Sequence, residues 1–134
     1  MNRILRLVTV RSAIVLVALM ACISGCSKPK FYPVRGDVVV YGVGPLREGE
    51  VRVRPVKNHA LIATGKIDKD GRFSVSTPSH PEGVLEGDVE VAVVVEPKNG
   101  KPQIAERFAD FSTADRNFTV LNRDENYFQI QVSK

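Results

Sequence analysis

The chain has no tryptophan, and its two cysteines, Cys22 and Cys26, both sit at the end of one apolar run near its start. The rest of the sequence therefore has no disulfide framework, so any domain there must hold together by burying apolar side chains. The two histidines, His59 and His80, are far apart and have no cysteine beside them, so a zinc site would have to be assembled from scattered carboxylates. No G-x-S-x-G surrounds a serine, and the acidic residues stand singly at turns and alternating positions, which offers neither a nucleophile nor a general acid/base pair. Aromatic residues make up 7% of the chain, little material for stacking on sugars or bases. A sustained helical stripe, a second long apolar run and low-complexity segments are also missing.

What is present begins with the leader. Arg3, Arg6 and Arg11 give a basic head without an acidic residue, and Ser12 to Ile23 is uncharged and rich in Ala, Val, Leu and Ile. Small residues and a cysteine follow, giving the three parts of an export signal. The apolar stretch falls short of the roughly 20 residues a membrane-crossing helix needs. The arginines hold the head on the cytoplasmic side, so the remainder is directed outward. Its end, Ile23-Ser24-Gly25-Cys26, resembles the lipobox of bacterial lipoproteins: a branched aliphatic, two small residues, then the cysteine. That resemblance implies signal-peptidase cleavage between Gly25 and Cys26, with Ile23, Ser24 and Gly25 as recognition residues and lipid on the Cys26 sulfur and amino terminus. Leu19-Met20-Ala21-Cys22 is a competing box, with bulky Met20 at a position where a small residue is usual. An uncut anchor and a Cys22–Cys26 disulfide are the other readings. The run is short for the first, and the second would lie within the membrane-inserting segment.

On this reading residues 1–25 are a signal helix that is removed, 26–33 a lipidated tether and 34–134 one domain, long enough for a core. Loss of three arginines leaves 16 basic residues, from 19, against 15 acidic ones, so the formal +4 falls to about +1. The basic balance is thus partly a property of the leader and gives no argument for nucleic acid. In the tether, Pro29 and Pro33 oppose regular structure, while Lys28 and Lys30 suit either a solvated linker or contact with anionic headgroups.

Beyond the tether the hydrophobic period is two. Val34, Gly36, Val38 and Val40 share a face, as do Val51 and Val53 against Arg52 and Arg54. Phe73 and Val75 alternate with Arg72, Ser74 and Ser76. Val89, Val91, Val93 and Val95 oppose Asp88, Glu90 and Glu96. Near the end come Phe118 and Val120, then Phe128, Ile130 and Val132 with Gln129 and Gln131 outward. "LIATGKI" is a weaker strand broken by Gly65, and "IAERF" suits a short strand or a helical turn. Turn residues fall between the runs, at Gly42–Gly49, Asp68–Gly71, Pro78–Gly87, Pro97–Pro102 and Asn122–Asn126. About seven short strands, each with one apolar face, predict an all-β fold, a single small β-sandwich.

The order of these segments resembles the carboxypeptidase regulatory-like domain, a small transthyretin-like sandwich. Gly36, Val38, Gly44-Pro45-Leu46, Gly49, Val51, Pro55, Gly65, Asp68, Asp70-Gly71, Phe73, Gly87, Val89, Val91 and Val93 fall on its pattern. The inserted Val43, Arg54 in place of an apolar residue and Val89 in place of Tyr depart from it. The resemblance implies a non-catalytic accessory, stability or interaction module.

Three features have a functional and a structural reading. "DKDG" at Asp68–Gly71 looks like part of a calcium loop but lacks the further ligands and closing acid, and reads as a hairpin turn. His59 and His80 read as solvated loop histidines. Arg52 and Arg54, with Arg47 and Lys57, could form a basic strip for acidic polysaccharide or anionic lipid, or simply charges that discourage edge pairing. The expectation is a non-catalytic, lipid-anchored protein on the exported side of the cell envelope, with no cofactor or metal, a structural or protein-interaction role and no nucleic-acid partner. The membrane is its partner through the anchor, and an envelope protein or polysaccharide is the candidate for a second. Recognition of envelope carbohydrate or another ligand is the alternative function.

Overall fold

The computed structural model describes residues 28–114 and 117–134. The expected signal segment, with Ile23, Ser24, Gly25 and Cys26, lies outside the described residues. The fold is all-β. In chain order the strands are β1 (Phe31–Tyr32), β2 (Val34–Val40), β3 (Gly44–Pro45), β4 (Glu50–Pro55) and β5 (Ala63–Lys66). There follow β6 (Arg72–Val75), β7 (Val84–Leu85), β8 (Gly87–Val94), a 3-10 turn (Glu106–Ala109), β9 (Asn117–Val120) and β10 (Asn126–Val132). Among the described residues seven strands have four residues or more, as alternation predicts, and β1, β3 and β7 are two-residue pairings.

Two four-stranded sheets make the body. In one, β2 is flanked by β10 and by β6 with β3; in the other the order is β5-β4-β8-β9. Both send their apolar faces into one core. From the first come Val34, Val38, Val40, Phe73, Val75, Phe128, Ile130 and Val132, and from the second Val51, Val53, Ala63, Val89, Val91, Val93 and Val120. Strands of period two place every second side chain inside, and β-branched valine packs well on a pleated surface. Each buried valine contributes about 1.5 kcal/mol or more, so these rows are the main source of cohesion among the described residues.

The register of β10 on β2 is parallel, from Asn126 opposite Val34 to Val132 opposite Val40. It requires glycine at position 36: a Cβ there would lie 1.8 Å from the main-chain oxygen of Phe128. The weak segment around Gly65 is a strand after all. It pairs with β4, and a bridge from Thr64 to Ser76 ties the two sheets together along one edge.

The segment expected as a tether through Pro33 is anchored from Lys30 onward. Phe31 and Tyr32 pair with Leu85 and Val84, and the Glu86 N–H donates to the Lys30 carbonyl. Pro33 has no N–H but keeps its carbonyl, which accepts from the Asn126 N–H at 3.0 Å. A proline beside a strand therefore does not free the chain. "IAERF" becomes the 3-10 turn, with Phe108 buried beneath it.

Candidate functional site

Asp68–Gly71 forms the hairpin turn between β5 and β6. Gly71 has φ 80°, and Asp68 Oδ1 accepts from the N–H groups of Arg72 at 2.9 Å and Asp70 at 2.8 Å. These bonds, Arg72's first, hold the Asp68 carboxyl below its ordinary range. Among the described residues no three His, Cys, Asp or Glu side chains are grouped to hold a metal ion. His59 is exposed. His80 departs from the expected solvated loop residue: it is half-buried, stacked on Phe31 with ring centroids 3.8 Å apart, and its Nδ1 lies 3.6 Å from Glu82. Phe31 and His80 belong to neighbouring segments only because β1 pairs with β7, so spacing alone could not reveal the contact.

Of the two readings of Arg47, Arg52, Arg54 and Lys57, the continuous basic strip does not form. Arg52 Nε donates to Glu50 Oε1 at 2.7 Å. Arg54 pairs with Glu90, its cross-strand neighbour on β8, and its guanidinium lies 4.5 Å from the Phe111 ring centroid. Arg35 on β2 is matched to Glu125. Lys57 follows the end of β4, whereas Arg47 precedes its start, so the strand's length separates them. Arg35, Arg52 and Arg54 are thus neutralised in place, with partners as far as 90 residues away in sequence.

Four further cations lie at one end of the sandwich. Arg47, Lys98, Lys101 and Lys134 line an open groove of about 800 Å³ with Val40, Val43, Leu46 and Pro102. None of these four has an ion-pair partner among the described residues. The carboxylate of Glu48, also on the lining, accepts a hydrogen bond from Gln103 Nε2, which also donates to the Glu96 carbonyl at 2.9 Å. β2 runs from Val34, next to β1, to Val40 at the groove, so the groove lies about 20 Å from the start of that strand.

Local sequence sets the groove's geometry. Asn99 and Gly100 have φ 53° and 73°, the left-handed pair that closes a two-residue hairpin. Their neighbours are consequently held opposite each other: Lys98 N–H donates to the Lys101 carbonyl at 2.9 Å, and Lys101 N–H returns the bond at 3.0 Å. Pro97 and Pro102 lack N–H donors, so the ladder stops after that one pair. The turn expected at Pro97–Pro102 is present, but that expectation did not extend to the pairing of its lysines. Asn-Gly between two lysines is the signal that could have found it.

The outer face of the first sheet carries a second cluster. The Tyr127 hydroxyl donates to Asp37 Oδ2 at 3.0 Å, and the Arg35 guanidinium carbon lies 6.0 Å from its ring centroid. The bond to Asp37 raises the Tyr127 pKa. Asp37 Oδ1 is buried without a hydrogen-bond partner among the described residues. Tyr41 is 73% exposed and Tyr127 54%, but they stand at opposite ends of β2, while Tyr32 packs on the core, so the three tyrosines make no common platform.

The lining of the groove holds no Ser, Thr, Cys or His; its chemistry is positive charge over an apolar floor. No protein-family model, curated protein or solved structure matches this chain.

Proposed function

We propose that the chain is a non-catalytic lipoprotein of the bacterial cell envelope. Its sandwich, of the carboxypeptidase regulatory-like kind, serves structure or protein interaction on the exported side of a membrane. The observation that carries this reading is the sequence Ile23-Ser24-Gly25-Cys26 closing a basic-then-apolar leader. Cys26 is the lipid attachment residue; one acyl chain gives only marginal binding, so several chains on its sulfur and amino terminus make the attachment stable. The described fold supports the reading: the first strand among the described residues begins at Phe31, a few residues past the proposed anchor, and Arg35, Arg52 and Arg54 each have a carboxylate. The domain assignment rests on the order of glycines, turns and strands from Gly36 to Val93. Envelope carbohydrate is the weaker candidate partner, because no aromatic ring lines the groove.

Metabolic labelling with a palmitate analogue tests the anchor. The wild-type chain is expected to be labelled and to sediment with membranes, and Cys26→Ser to be unlabelled and to lose the mature, membrane-bound form. An unlabelled wild type, or an unchanged membrane fraction for the variant, overturns the reading.

A further inference from the structure

The groove at the far end presents an unexplained cost. Lys98 and Lys101 face each other as a hydrogen-bonded pair, an arrangement that places their Cα atoms about 5.5 Å apart. Like charges directly opposite are destabilising, and here neither lysine is offset by a carboxylate among the described residues. Arg47 and Lys134 bring two more cations to the same groove. On the strands, Arg35, Arg52 and Arg54 each have an acid, whereas Lys66 and Arg72 stand without an ion pair among the described residues but are not set opposite each other. Four unmatched cations over Val40, Val43 and Leu46 are complementary to a ligand that is both acidic and partly apolar.

We infer that this groove binds an extended acidic peptide segment of another exported protein. The inference rests on the interaction reading above and names the partner's chemistry. In an extended chain, side chains two residues apart lie on one face about 7 Å apart. Two carboxylates at that spacing can meet Lys98 and Lys101, with Arg47 and Lys134 serving further acids. Val43, 64% exposed, and the floor around Leu46 receive an apolar side chain of the same segment. A glycan lacks that apolar group and finds no aromatic ring to stack on. A lipid headgroup in the chain's own membrane is on the wrong side, since the groove lies a strand's length from the start of β2. Opposed lysines on a proline-flanked two-residue turn are held in place before binding, which lowers the ordering cost of capture.

The test uses the full chain in neutral detergent and fluorescence anisotropy of a dye-labelled decapeptide of alternating Glu and Val. Saturable binding is expected, weakened as salt rises from about 50 to 500 mM and absent for the Gln-Val peptide. The double variant Lys98→Gln/Lys101→Gln should weaken binding about ten-fold, and Arg47→Gln about three-fold, as loss of one or two exposed charge contacts predicts. Arg47→Gln leaves the hairpin untouched and keeps the test decisive if the lysine variant repacks. Lys57→Gln, beyond the other end of β4, should change nothing. Unchanged binding in the groove variants overturns the inference. So does stronger competition by polygalacturonate or by phosphatidylglycerol in the micelles than by unlabelled peptide. Cys26→Ser should bind like the wild type, so an unlabelled wild-type chain, or a Cys26→Ser chain that keeps its membrane fraction, with binding kept sinks only the lipoprotein reading. A correctly labelled chain that ignores the peptide sinks only this one.

Discussion

Asn126 offers a quantitative test of how the sandwich is closed. It is 4% exposed, and its side chain is fully engaged: Oδ1 accepts from Leu121 N–H at 2.9 Å, and Nδ2 donates to the carbonyls of Leu121 at 3.0 Å and Pro33 at 3.2 Å. One amide thus fastens the β9–β10 connection to the chain's entry into β2. Asn126→Ala removes three hydrogen bonds worth about 0.5–1.5 kcal/mol each. Leu121 is 40% exposed, so water can reach its freed main-chain groups, and Pro33 keeps its bond from the main-chain N–H of residue 126. Those two facts hold the expected loss to about 2–3 kcal/mol. Against a total of about 5–15 kcal/mol that is a large fraction. Asn126→Asp is more informative. It keeps the acceptor but points an oxygen at two carbonyls, and burial beside them raises the folded-state pKa. A raised folded pKa means stability is higher at low pH and is lost as pH rises through that value. Urea unfolding followed by tyrosine fluorescence should show the aspartate variant weaker than the alanine variant at pH 7, the gap narrowing at pH 5, with the urea slope unchanged. A loss under about 0.5 kcal/mol for Asn126→Ala, or an aspartate variant indifferent to pH, refutes the reasoning.

Two further predictions follow from the backbone. Gly36→Ala would place a methyl 1.8 Å from Phe128 O, and because the obstacle is main chain the β2–β10 pair must separate. A cost at or above the upper end of about 1–3 kcal/mol is expected, read as a lowered urea midpoint; a midpoint within error of wild type refutes the register. Asp68, whose folded pKa is lowered from 3.8, contributes stability that is complete above that value and is lost as pH falls through the folded one. Asp68→Asn should therefore flatten part of the acid limb of the melting temperature between about pH 6 and pH 2.5, leaving the share of Asp110, which Ser112 lowers in the same direction. An acid limb identical to wild type counts against the turn's hydrogen bonds.

The strands were legible because alternation is a local property. β2, β4, β6, β8 and β10 bury the residues that a period of two selects, since a one-residue slip would turn each apolar row to solvent. What stayed hidden depends on partners distant in sequence. Arg54 is cancelled by Glu90 and Arg35 by Glu125, pairings that need the register of the strands before they can be seen. Phe31 and Tyr32 look like linker because two residues carry no periodicity; only Val84 and Leu85 make them a strand. Asn126 reads as a turn residue, and its burial follows from the parallel return of β10 beside β2. The groove lay between these cases. Its hairpin was local and available, whereas Arg47 and Lys134 join it only through the fold.

The charge balance of residues 26–134 gives the location of the groove cations its meaning. With 16 basic residues against 15 acidic, the domain has almost no net field and cannot gather polyanions by long-range attraction. Attraction for an acidic ligand must then be local, and it must come from cations that the protein has not already paired. Arg52 and Arg54 fail that condition, since moving either onto a ligand first requires breaking its bond to Glu50 or Glu90. The groove cations meet it, and the Asn99-Gly100 turn prevents the two lysines from relaxing apart along the backbone. Anchored as proposed at Cys26, with Phe31 already in a strand, the groove end would face away from the membrane, held there by a short tether.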